Sequence, residues 1–202
     1  MNPQQELPPN YLDEIAPQAQ KRSFSIGRPG MILLIAVLAI VIISVLVVVA
    51  NQVGASRIQP WERLTARLTS TNAVVTSSER KIKNSQLRST NSNLKILLTN
   101  TQRDLTTPLA TIGINSKELT PSVVAAESSD AMLKRLEDAR LNAKYDSTYA
   151  REMSFQLSNL LTLLRQLFLS SSNPENKKFL EATYDNFAPV QKSLSEFSAS
   201  NE

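Results

Sequence analysis

Residues 153–169 read MSFQLSNLLTLLRQLFL. Within them Met153, Leu157, Leu160, Leu164 and Leu167 recur at alternating steps of four and three, the seam that a helix lays along one side when it packs against neighbours. Leu161, Leu163, Phe168 and Leu169 widen the seam into a broad apolar face. A face that wide places the helix centrally in a bundle and not in a two-stranded coil.

Toward the C-terminus, Ser170–Asn173 followed by Pro174 is a stop-and-restart signal. Asn173 caps the next helix, and Pro174 takes its first position, where a missing N–H costs little. That last helix presents Leu180, Tyr184, Phe187, Val190, Leu194 and Phe197, and Pro189 should kink it. Toward the N-terminus, a third helix begins near Ser128–Asp130, turns Met132, Leu133 and Leu136 inward, breaks around Asn142–Asp146 and resumes. Gly113 to Pro121 reads as a loop.

Pro60 with Trp61, Leu64, Leu68 and Val75 predicts a first helix running to about Ser78. A second carries Leu87, Leu94, Leu97, Leu98 and Leu105, and Pro108 ends or kinks it. Whether these two are separate or continuous stays open, because no Gly or Pro lies between Trp61 and Pro108. Four amphipathic segments cannot bury their faces singly. The expectation is an all-α protein whose residues 56–198 close into an antiparallel four-helix bundle. A long parallel coiled coil is the alternative, and the connections at Gly113–Pro121 and Ser170–Pro174 argue against it.

The composition agrees with that reading. The 202 residues have room for one domain and an anchor, and only 4 are glycine. Scarce Gly, few aromatics and plentiful Leu, Ala, Lys, Arg and Glu favour helices over a sandwich or barrel.

Residues 31–50 read MILLIAVLAIVIISVLVVVA, with Ser44 the one polar side chain. Twenty helical residues span about 30 Å, the hydrocarbon thickness of a bilayer, so residues 30–52 are expected to form a single transmembrane helix. A cleaved signal peptide is the rival, with Val48-Val49-Ala50 and Val53-Gly54-Ala55 as cleavage candidates. Signal peptides usually have a shorter apolar region and rarely follow so long a polar tail. Lys21, Arg22 and Arg28 precede the segment closely, whereas Arg57 and Arg63 beyond it are offset by Glu62. The positive-inside bias then puts the N-terminus in the cytoplasm and the C-terminal domain outside it, at the plasma membrane. Trp61 fits either a headgroup-level or a core position. Residues 1–29 hold five of the ten prolines and no apolar period, as expected of a disordered cytoplasmic tail. Tyr11–Ile15 within it is a candidate docking motif, with an inert tail as the plainer reading.

The net charge of +4 is an ordinary solubility feature and does not imply a nucleic-acid partner. Cysteine and histidine are both absent, which removes disulfides, thiolate nucleophiles and the commonest metal ligands. Glu137, Glu152 and Glu181 lack the Glu-x-x-His spacing of a di-iron bundle. Folding is therefore expected to rest on buried leucine and phenylalanine, with no cofactor. Ser-x-x-Lys occurs at Ser78–Lys81 and Ser92–Lys95 without the companion motifs of Ser/Lys acyltransferases. No Gly-rich phosphate loop or Gly-x-Ser-x-Gly elbow is present.

The candidate contact residues are basic. Arg80, Lys81, Lys83, Arg88, Lys95 and Arg103 follow one another with no acid between them. They read either as a solvated face or as an electropositive one meeting lipid headgroups, an anionic envelope polymer or an acidic envelope protein. No aromatic interrupts the run, which argues against single-stranded nucleic acid. Tyr145 and Tyr149 could line a site, but at helical spacing they are more often core residues with a bonded hydroxyl.

Tyr145-Asp146-Ser147-Thr148-Tyr149 is similar to an aromatic-Asp-x-x-Tyr motif, and Asn173-Pro174 with Lys177, Phe179, Leu180 and Thr183 resembles an Asp-Pro-x-x-(Lys/Arg)-x-Phe-Ala segment. Together, over about residues 127–197, they resemble a bacterial domain-of-unknown-function family of exported, ferritin-like helical-bundle proteins, labelled periplasmic or outer-membrane. That family carries Asp-His in its third helix and a His in its fourth. Here Gln156-Leu157 and a position near Val190 stand at those places, so the resemblance implies a fold and a location but no activity. The function expected is a non-enzymatic, membrane-anchored module for envelope interaction or scaffolding. The alternative is a bundle enclosing a small apolar ligand.

Overall fold

A computed structural model of the chain describes residues 58–200. The expected tail and transmembrane segment lie outside the described residues, and among those described no helix is long and apolar enough to cross a membrane. The described chain is all-helical. We number the helices α1 (58–78), α2 (Ser85–Asp104), α3 (Thr106–Thr111), α4 (Pro121–Ala126), α5 (Asp130–Leu141), α6 (Tyr145–Ser170) and α7 (Pro174–Ser200).

The seam quoted above is the floor of the core. Met153, Leu157, Leu160 and Leu164 of α6 are wholly buried, and Leu64, Leu68, Leu94, Leu98, Phe187 and Leu194 join them in one cluster. Leu169 departs from the expectation: it is 73% exposed, because its position on the last turn of α6 carries it past the packed face. Trp61 is a core residue, 5% exposed.

Polar contacts set the directions of the helices. Arg67 of α1 reaches the Asn159 carbonyl of α6, Gln156 reaches Thr71, and Tyr145 reaches Ser78, so α1 and α6 are antiparallel. Asn72 bonds Gln102, and Asn91 bonds the Val75 carbonyl, so α1 and α2 are antiparallel too. Gln191 meets Ser154 across the tight turn between α6 and α7. Running opposite to the same α1 makes α2 and α6 parallel to each other. The chain between them must therefore travel back along the bundle, and α3, α4 and α5 make that crossover.

This corrects one expectation. The third helix with a break is two helices folded back on each other. Arg135 and Glu152 would stand about 25 Å apart along one continuous helix, yet their side chains pair at 2.7 Å. The fold-back is a Schellman turn: Lys144 N–H bonds the Ala139 carbonyl at 2.8 Å and Ala143 N–H the Arg140 carbonyl at 3.3 Å, with Ala143 at φ 56°. The short helix α4, which begins with Pro121, is a further element that periodicity over six residues could not announce.

Elsewhere the local signals match the structure. Asn173 Oδ1 accepts from the N–H groups of Glu175 and Asn176, with Pro174 opening α7. Helix α2 stops at Asp104, whose carbonyl has no N–H to meet at Pro108. Pro189, expected to kink α7, does not interrupt it, and α7 continues as one helix from Pro174 to Ser200 with the proline exposed. The crossover is fastened near the start of α1, where Glu127 (its side chain 5% exposed) pairs with both Arg63 and Arg67, and Glu62 accepts from Thr120.

Candidate anion-binding cleft

At the end of α1 remote from residue 58, two turns face each other: residues 79–84 between α1 and α2, and residues 142–144 between α5 and α6. Why the chain turns at 79–84 with no Gly or Pro is answered from α6. The Asp146 carboxylate accepts the Lys83 N–H at 3.1 Å and the Asn84 N–H at 2.7 Å. Asn84 in turn caps α2, its Oδ1 accepting from Leu87 N–H at 3.0 Å. Two donors that a continuous helix would bond internally are thus satisfied by a residue 63 and 62 positions away.

The rest of the Tyr-Asp-x-x-Tyr motif locks the same junction. Tyr145 donates its hydroxyl to Ser78 Oγ at 2.8 Å, and Ser78 donates to the Val74 carbonyl. Tyr149 donates to Asn91 Oδ1, and the two tyrosine rings lie nearly parallel at 6.3 Å. Burial pushes both phenols above their ordinary value. The Ser78 hydrogen bond opposes the shift at Tyr145, and Tyr149 is displaced far further. Ser78, the first serine of the Ser-x-x-Lys matches, is buried with its hydroxyl committed on both sides.

Between the turns lies an open cleft of about 680 Å³. Arg80, Lys81, Lys83, Arg140 and Lys144 line it, against a single lining carboxylate, Asp146, whose oxygens the backbone already occupies. Tyr145 and Phe197 add aromatic wall. At the rim Glu137 pairs with Arg140 at 2.7 Å and with Lys81 at 3.6 Å. The Arg140 hydrogen bonds hold its carboxyl below the usual range, and the Lys81 charge adds to the effect.

The structure divides the sequence's run of bases. Arg80, Lys81 and Lys83 enter the cleft. Arg88 donates to the Lys83 carbonyl and braces the turn from behind. Lys95 pairs with Glu79, and Arg103 with the adjacent Asp104 at the opposite end of α2. Arg140 and Lys144 belong to the cleft but not to the run; nothing in the sequence joins them to Arg80, because the fold-back at Ala143 brings them there.

A second depression, about 250 Å³, lies between α6 and α7 over Leu164, Phe168, Leu180 and Tyr184. It is a surface groove. Among the described residues no three acidic side chains gather as metal ligands would. No protein-family model matches the chain, and no curated protein or solved structure matches it either.

Proposed function

We propose that the protein is a non-enzymatic binding module that Met31–Ala50 tethers to the plasma membrane, with its N-terminus cytoplasmic and its helical domain presented to the cell envelope. The observation that carries the binding reading is the cleft. Five cations converge there on one opening, while the lining carboxylate and both nearby tyrosine hydroxyls are already bonded. Such a surface attracts anions and offers no unengaged acid–base pair for catalysis. An anionic envelope polymer or an acidic envelope protein is the partner that fits, with membrane lipid around the anchor. Kinship with the ferritin-like exported family belongs to the same proposal, supported by the parallel α2 and α6 joined through one long crossover, a connection that ferritin-like bundles use. The alternative, a small apolar ligand, would have the α6–α7 groove as its seat.

Two measurements test the reading. A reporter active only outside the cytoplasm, fused after Glu202, should be active on a full-length product. Full-length protein should retain anionic envelope fractions, and Arg80→Ala with Lys144→Ala should release them. A mature chain beginning near Asn51 or Ser56 overturns the anchor, and retention indifferent to the cleft variants overturns the site.

A further inference from the structure

Of the five lining cations, Lys81 and Arg140 share Glu137. Arg80, Lys83 and Lys144 have no ion pair among the described residues. On a solvated helix face, like charges separate by swinging into water. Here the side chains are exposed too, but the backbone that carries them is fixed. Arg80 and Lys83 ride on the 79–84 turn, Lys144 on the 142–144 turn, and the two turns are held together by Asp146 and by Tyr145 on Ser78. The backbone positions of the three cations are therefore fixed around one cleft before any ligand arrives, which leaves a ligand less ordering to supply.

We propose that this cleft is a binding site for a phosphomonoester or diphosphate group, a ligand carrying more than one negative charge. The proposal rests on the binding-module reading and narrows it to one chemistry. A monocarboxylate would leave two of the three unmatched cations uncompensated, whereas a phosphomonoester carries about −1.5 to −2 at neutral pH and three acceptor oxygens. Arg80 supplies a forked donor suited to such oxygens, Lys83 and Lys144 supply point charges, and the fork of Arg140 is already engaged by Glu137. The volume of about 680 Å³ is that of a small-molecule site and exceeds a bare phosphate, which leaves room for an organic body against Tyr145 and Phe197.

The test uses the full chain in nonionic detergent, titrated calorimetrically with inorganic pyrophosphate, and with malonate, a dicarboxylate dianion that lacks phosphoryl oxygens. Saturable pyrophosphate binding is expected, with a rise in thermal midpoint and malonate weaker by about tenfold or more. Arg80→Ala and Lys144→Ala should each weaken binding by about tenfold, the size of one lost charge-assisted contact, while Lys95→Ala and Arg103→Ala stay within about twofold. Without ligand, Lys144→Ala should melt close to wild type, since the side chain is exposed and makes no ion pair among the described residues. Absence of saturation, parity with malonate, or equal losses at all four positions would overturn the assignment. Replacing detergent by phosphatidylcholine vesicles with or without phosphatidic acid identifies the source: competition with pyrophosphate means a lipid headgroup, and none means a soluble phosphate ester. Envelope fractions retained through Arg80 and Lys144 without pyrophosphate binding would sink the phosphate assignment alone. Loss of both would sink the binding module as well.

Discussion

Tyr149, wholly buried in α6, donates its hydroxyl to Asn91 Oδ1 in α2, and Asn91 Nδ2 donates onward to the Val75 carbonyl of α1 at 3.3 Å. Three helices are joined through one polar thread inside an apolar core. Each member lies where water cannot replace a lost partner, so the thread specifies one register among the three helices.

Tyr149→Phe keeps the ring and strands Asn91 Oδ1. It should cost about 1–3 kcal/mol at neutral pH in urea unfolding. The pH dependence has a definite sign. The folded phenol titrates well above its unfolded value, so the protein is fully stabilised below about pH 10 and loses stability as pH rises further, when only the unfolded state ionises. The loss should approach about 1.4 kcal/mol per pH unit from this residue. The gap between wild type and Tyr149→Phe should accordingly narrow above about pH 10; a constant gap would refute the account.

Leu160 and Leu169 are the same residue type on one helix, 0% and 73% exposed. Leu160→Ala should cost about 2–5 kcal/mol, and Leu169→Ala less than about 0.5 kcal/mol. Equal denaturation midpoints would mean that the face of α6 is misassigned.

Ala143 holds φ 56° at the C′ position of a Schellman turn, where glycine has no Cβ to strain. Ala143→Gly should raise stability by about 1 kcal/mol, less a few tenths for added freedom in the unfolded chain. Thermal melting decides it: a lowered midpoint would show that the left-handed turn is unstrained.

Glu127 is the anion between Arg63 and Arg67, and Arg67 is itself only 13% exposed while bonded to the Asn159 carbonyl. Glu127→Gln should cost about 3 kcal/mol, because it leaves a largely buried guanidinium without its counter-charge. Glu137→Gln, on the half-exposed rim of the cleft, should hardly move the midpoint. Hydrogen exchange should locate the Glu127 effect in α4 and the start of α1; uniform loosening of every helix would contradict the clamp.

Asp146→Ala removes the acceptor for Lys83 and Asn84 N–H. Faster amide exchange is expected at Lys83 and Asn84, with a stability loss of about 1–3 kcal/mol. Unchanged protection there would show that the turn holds without α6.

Much of this protein was decided residue by residue. The inward face of α6, the Asn173–Pro174 restart and the end of α2 ahead of Pro108 follow from helical period, capping and the missing proline N–H, which act within a few residues. The bases Arg80, Lys81 and Lys83 could be read in the same way as a local run without acids. The rest depended on partners distant in the chain. No Gly or Pro between Trp61 and Pro108 marks a turn; Asn84, the cap of α2, is a local sign of one, but the Lys83 and Asn84 N–H groups at the break find their acceptor only in Asp146. The fold-back at Ala143 uses a residue that ordinarily avoids φ above zero, so composition gave no sign of it. The cleft is the clearest case. Charges act through space, so Arg140 and Lys144 became neighbours of Arg80 only when two turns some 60 residues apart packed together, and no pattern along the chain records that distance.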